Sequence, residues 1–152
     1  MSCGEKLKSL NLKLPPAPKP IGSYRPLVIT GTAGYISGQI SKTADGKIIT
    51  GRVGAGLSLD QGREAAKCSV LNVLSVIENI LGWDNFSRFV RLSGYVQTGP
   101  DFHDIPKVLD AASDLLVEIL GDRGLHTRAA IGAANLPLNA AVEIEAVVEV
   151  KV

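Results

Sequence analysis

Residues 127 to 152 read TRAAIGAANLPLNAAVEIEAVVEVKV, and the fold turns on how they are arranged. From Val142 onward apolar and polar positions alternate. Val142, Ile144, Ala146, Val148, Val150 and Val152 fall on one side, and Glu143, Glu145, Val147, Glu149 and Lys151 on the other. Side chains alternate across a strand, so this is a strand with one face for the core and one left outside it. Thr127 to Ala133 reads as the strand before it, and Leu136-Pro137-Leu138-Asn139 as the turn. The reading makes the two strands antiparallel neighbours, with Arg128 and Glu143 turned into one pocket. An arginine fork suits a small carboxylate, and a glutamate can place or deprotonate a water. A structural cross-strand ion pair is the plainer alternative.

Working back from that stretch, Ile105 to Leu120 places apolar residues at helical spacing (Val108, Leu109, Ala112, Leu115, Leu116, Ile119, Leu120). Asp104 stands as its cap, Pro106 in its first turn and Gly121 at its end. Phe86 to Val96 reads as a strand, with Arg88 and Arg91 turned to solvent. Ser58 to Leu81 is the longest helix. Ser58 and Gln61 have the capping-box spacing, Gly82 is the stop, and Cys68 sits among apolar neighbours. Residues 41 to 57 read as a loop with a turn at Asp45-Gly46 and a short strand near Ile48 and Ile49. Arg25 to Thr30 and Ala33 to Gln39 form a hairpin marked by Gly31 and Gly34. Residues 1 to 20 form an N-terminal arm, with leucines first and then the extended run set by Pro15, Pro16, Pro18 and Pro20. The rest, 21 to 152, is one domain.

The order ββ(β)αβαββ predicts an α+β fold, a mixed sheet with two long helices on one face. The other face lacks cover from this chain, which predicts a homo-oligomer.

The 152 residues are 45% apolar and 20% charged, enough for a core of aliphatic side chains. A net charge of +1 argues against nucleic-acid binding. Two distant cysteines, Cys3 and Cys68, make neither a disulfide framework nor a zinc site, and two histidines leave no basis for a metal centre. The N-terminal residues hold no apolar run of signal-peptide length, and no stretch reads as a membrane span. The expected location is the cytoplasm. Gly51, Gly54 and Gly56 do not have phosphate-loop spacing.

Ile21-Gly22-Ser23-Tyr24, Ile36-Ser37-Gly38-Gln39, Thr127-Arg128-Ala129-Ala130, Asn135-Leu136-Pro137 and Val142-Glu143-Ile144-Glu145-Ala146 together resemble the Rid (YjgF) family, also called the endoribonuclease L-PSP family. The likeness runs from about Pro15 to the end and fits the longer-chain subgroup. It implies a chorismate-mutase-like domain in a homotrimer, the sheets forming a barrel and the sites lying in clefts between subunits. It further implies hydrolysis of reactive enamines and imines of the 2-aminoacrylate type to a 2-keto acid and ammonia, without a cofactor. On this resemblance Arg128 holds the substrate carboxylate and Glu143 positions the water. Tyr24, Ser37, Gly38 and Ala130 line the pocket. Ala130 stands where deaminating members often have a cysteine, and Pro106 where they often have an asparagine. Those departures favour an alternative, a non-catalytic binder of small carboxylates. A ribonuclease or translation inhibitor is a third reading and follows only from the family's older naming. His126 lies two residues before Arg128 and shares its strand face, as an acid or base or as a hydrogen-bonded rim residue. His103 is read as a surface residue.

Overall fold

The computed structural model describes all 152 residues. Strands β1 (Leu27–Thr30) and β2 (Ala33–Ile40) form the expected hairpin. Gly31 makes its turn at φ 58°, whereas Gly34 lies inside β2, paired with Ile29 and Val148. A methyl there would press on Val148 and Leu27, which explains a glycine in mid-strand. The 41 to 57 stretch turns at Asp45-Gly46, where Gly46 has φ 90°. Ile48 makes only an isolated bridge, to Lys42. The short strands come later, as β3 (Arg52–Val53) and β4 (Gly56–Leu57).

Helix α2 (Leu59–Val76) starts with both halves of the Ser58–Gln61 capping box and runs on through a π-helical turn, Ile77–Leu81, to Gly82 at φ 82°. Ala65, Val70, Leu74, Ile77 and Leu81 are buried, while Ile80 faces out, and Cys68, among its apolar neighbours, is only partly covered. Strand β5 (Phe86–Gln97) follows, then α3 (Ile105–Leu120) and β6 (Thr127–Ala133). Asp104 does not cap α3 with its side chain. It pairs instead with Lys107 at 3.4 Å. Arg88 and Arg91 are exposed, as the sequence predicts.

Strand β7 (Val142–Val150) closes the chain, and its alternation holds: Val142, Ile144, Ala146, Val148 and Val150 are all buried. Its neighbours differ from the expected ones. The five-stranded sheet runs β1-β2-β7-β5-β6. Strand β6 does not pair with β7. It lies beside β5, parallel to it, and β5 separates it from β7. The β6–β7 connection is therefore a crossing over the end of β5, and buried Gln97 fastens it. The Gln97 amide donates to Gly51 O and Asn139 Oδ1, and its oxygen accepts the Leu136 N–H at 2.8 Å. Arg52 adds a bond to Asn135 Oδ1 at 2.7 Å.

Both long helices pack on one sheet face, over a single 28-residue core that includes Phe86, Phe89 and Leu92. The architecture is thus the mixed-sheet α+β domain read from the sequence. The arm joins the same core. Helix α1 (Cys3–Ser9), with its own capping box, buries Leu7, and Pro15 O accepts the Ser75 hydroxyl at 2.6 Å. Val28, Tyr35 and Ile131 lie on the face without helices, each more than two-fifths exposed. No helix is long and apolar enough to cross a membrane.

Candidate active site

Two separate clusters hold the residues singled out in the sequence. The first surrounds Glu143 on the helix-free face. Strand β2 slips register between Ile36 and Gln39, so Ser37 and Gly38 form a bulge opposite the start of β7. Bulges of this kind re-aim a side chain. Here the bulge places Gly38 directly against the Glu143 carboxylate, where any Cβ would overlap its oxygen Oε1. Tyr24, Gly38 and Glu143 share a cavity of about 570 Å³. Pro15 to Ile21, with Tyr24 and Pro26, form one wall of it, and Lys42, Asn72 and Leu138 complete other parts. Leu138 has φ 56°, a left-handed conformation that is uncommon for a leucine. Ser37 stands at the same bulge, but its hydroxyl is spent on Arg25 O at 2.6 Å, outside the cavity lining.

The Glu143 side chain takes no hydrogen bond or ion pair within the chain. Burial, reinforced by the nearby Glu145, raises its pKa above the ordinary 4.5. Desolvation makes a carboxylate a stronger base, because its charged form is the one that suffers. A half-buried, unpaired carboxylate facing a cavity is suited to holding and activating a water.

The second cluster surrounds Arg128 on the opposite face. Arg128 pairs in register with buried Leu92, so its side chain points to the helix layer, whereas Glu143 pairs with Tyr95 on the other face. The two are also two strands apart, about 10 Å across the sheet. One chain therefore does not bring Arg128 and Glu143 into one pocket. The expectation failed because it took β6 and β7 for neighbours.

Arg128 Nη1 donates to Asp110 Oδ1 at 2.9 Å and to Ser113 Oγ at 3.1 Å. Ser113 Oγ is 2.9 Å from His126 Nε2, and His126 Nδ1 is bonded to Gly124 O at 2.6 Å. A carbonyl can only accept, so the imidazole proton sits on Nδ1, and Nε2 accepts the serine O–H. Burial, helped by the charge of Arg128, lowers the His126 pKa below its ordinary 6.5, against the pull of the Gly124 carbonyl. His126 is thus a neutral rim residue that fixes Ser113, on the same face as Arg128. Ala130 is on this face too, packed against the core. His103 stands apart, at an open cleft beside Arg52, Thr98 and Asn135.

Asp110 and Ser113 escaped the sequence reading. Their i,i+3 spacing put both on one side of α3, which was a usable signal. What it lacked was the knowledge that β6 lies under that side.

The family description "YjgF/chorismate mutase-like, putative endoribonuclease" matches residues 4–150. The chain is 39% identical over 145 residues to protein TCP17 of Trypanosoma cruzi, covering 94% of this chain and 91% of that protein. It is 28% identical over 141 residues to the 2-iminobutanoate/2-iminopropanoate deaminase of Dermatophagoides farinae, covering 92% and 95%. Among solved structures, the protein Atu1372 of Agrobacterium tumefaciens, described as of unknown function, is 37% identical. Its TM-score is 0.90, with 99% of this chain and 94% of that chain covered.

Proposed function

Because the chain belongs to the YjgF/chorismate mutase-like family, we propose that it hydrolyses small 2-imino and 2-enamino acids to a 2-keto acid and ammonia. The observation that carries this is the Glu143 carboxylate, unpaired, half-buried and set against Gly38 in a cavity. The substrate carboxylate binds Arg128 of a second copy of the chain, in a homotrimer whose clefts join the two clusters. The exposed apolar residues Val28, Tyr35 and Ile131 support an assembly through the helix-free face. The deaminase of D. farinae, 28% identical, supports the reaction class.

An imine carbon is already electrophilic. Holding its carboxylate and placing one water supplies proximity, the main contribution required. Glu143 takes a proton from that water as oxygen attacks C2, and the nitrogen leaves as ammonia. No step calls for a cofactor.

Generating 2-aminoacrylate with a dehydratase and following keto-acid release tests the proposal. Wild type should accelerate release, and Arg128→Ala and Glu143→Gln should abolish the acceleration. Full activity in either variant would sink it. The acid limb of the wild-type pH profile should lie above an ordinary glutamate pKa, because burial raises that of Glu143.

A second reading, a carboxylate-binding protein without turnover, draws on Ala130 and on Pro106 at the start of α3. Calorimetric titration with 2-oxobutyrate separates it from the first: binding with no turnover would favour it.

A further inference from the structure

The cavity that holds Glu143 is larger than a three-carbon imino acid needs. Its volume of about 570 Å³ is in the range that buries whole drug-sized molecules. Its shape follows from the sheet. Strand β1 pairs with β2 only as far as Ile36, so the outer edge of β2 beyond that residue has no strand beside it. The proline run forms the wall there instead. The cavity therefore wraps the free edge of β2 and reaches both faces of the sheet. Gly38 and Glu143 line it from the helix-free side. Gln39, which pairs with buried Ile144, and Asn72 of α2 line it from the helix side.

Gln39 and Asn72 are only 8% and 4% exposed, and both amides are oriented by the backbone. Gln39 Nε2 donates to Ser37 O at 3.1 Å. Asn72 Nδ2 donates to Lys42 O at 2.7 Å and to Cys68 O at 2.9 Å. Carbonyls only accept, so the amide nitrogens face them and the amide oxygens point away. Neither oxygen takes a hydrogen bond from the chain, and neither is sealed off, so both open on the cavity their residues line. Acceptors this deep are costly to leave without a donor. Lys42 lines the same end, and its ammonium is in no ion pair.

We propose that this end of the cavity is a subsite for a primary carboxamide, and that the substrate class is a 2-imino acid whose side chain ends in one. The amide NH2 donates to Gln39 Oε1 and Asn72 Oδ1, and the amide carbonyl accepts from Lys42 Nζ. A carboxylate has no hydrogen to offer the two oxygens. A cationic end group meets the charge of Lys42, and an apolar one leaves all three groups unbonded. The reacting end of the molecule stays beside Glu143, so the word substrate rests on the hydrolysis proposed above.

Three amino acids of nearly equal shape serve as stable probes: L-glutamine, L-glutamate and the apolar L-2-amino-5-methylhexanoate. Each is titrated calorimetrically into wild type, Asn72→Ala and Lys42→Met, with thermal midpoints recorded. Wild type should bind glutamine about tenfold more tightly than either of the others, and each variant should lose most of that preference over the apolar probe. Asn72 also ties two backbone carbonyls. If its replacement unfolds the chain, Lys42→Met, at an exposed position, carries the test. A wild type that does not favour glutamine, or that binds none of the three, overturns the subsite. So does a folded variant that keeps the full preference. Failure of wild type to accelerate keto-acid release from 2-aminoacrylate is a separate result. It overturns the hydrolysis, while a glutamine preference would still mark the carboxamide subsite.

Discussion

At Gly38 the missing side chain leaves room for a carboxylate. Gly38→Ala puts a methyl where Glu143 Oε1 now lies. The glutamate's end can swing aside, so the fold should survive while the water-holding position moves. A displacement of about 1 Å in such a group can cost roughly a hundredfold in rate. The expected result is a fall of that order in kcat/KM with a nearly unchanged melting temperature. His126 offers a second test. Its pKa is lowered in the folded protein, so the unfolded chain takes up the proton first. Its stabilising contribution is complete above the unfolded value of about 6.5 and falls as pH drops through and below it. Urea midpoints measured between pH 7.5 and 5.5 should decline, and His126→Gln should flatten that decline. At this scale Glu143 could be singled out from the alternation of β7, whereas Gly38 came only with the family resemblance. For Asp110 the sequence offered only the i,i+3 spacing with Ser113, because the meaning of that residue depends on which strand lies beneath α3.

Helix α3 rests on the sheet at Gly94, where a Cβ would collide with Leu109. Unlike Glu143, Leu109 is fully buried and cannot swing away. Gly94→Ala should therefore destabilise the fold by about 1–3 kcal/mol, as overpacking of cores does. It should also shift Asp110 and Ser113 relative to Arg128. Chemical denaturation measures the first effect, and a changed 2-oxobutyrate affinity the second. The helices and the alternation of β7 were readable because caps, periodicity and burial are local or nearly so. The Ser58–Gln61 box and the Ile105–Leu120 period both appear in the folded chain as read. Strand order was not readable. A short connection after β6 looks like a hairpin, but it crosses over β5, held there by buried Gln97, which bonds to Leu136 and Asn139, and by Arg52, which bonds to Asn135. A glutamine at the end of an apolar strand gives little hint of that role.

The whole molecule presents a helix-free sheet face with Val28, Tyr35 and Ile131 exposed, and a cavity on that face contains Glu143. Arg128 belongs to the opposite face, beyond β5. That division has a consequence for mixtures of chains. If each working centre takes its anchor from one subunit and its base from the next, two dead variants can repair each other. Arg128→Ala and Glu143→Gln chains, refolded together in equal amounts, would form mixed rings. By random assortment about a quarter of their centres would combine one intact residue from each parent. Keto-acid release should rise from background to near that fraction of the wild-type rate. A mixture as dead as its parents would mean that no centre draws its anchor and its base from two different chains.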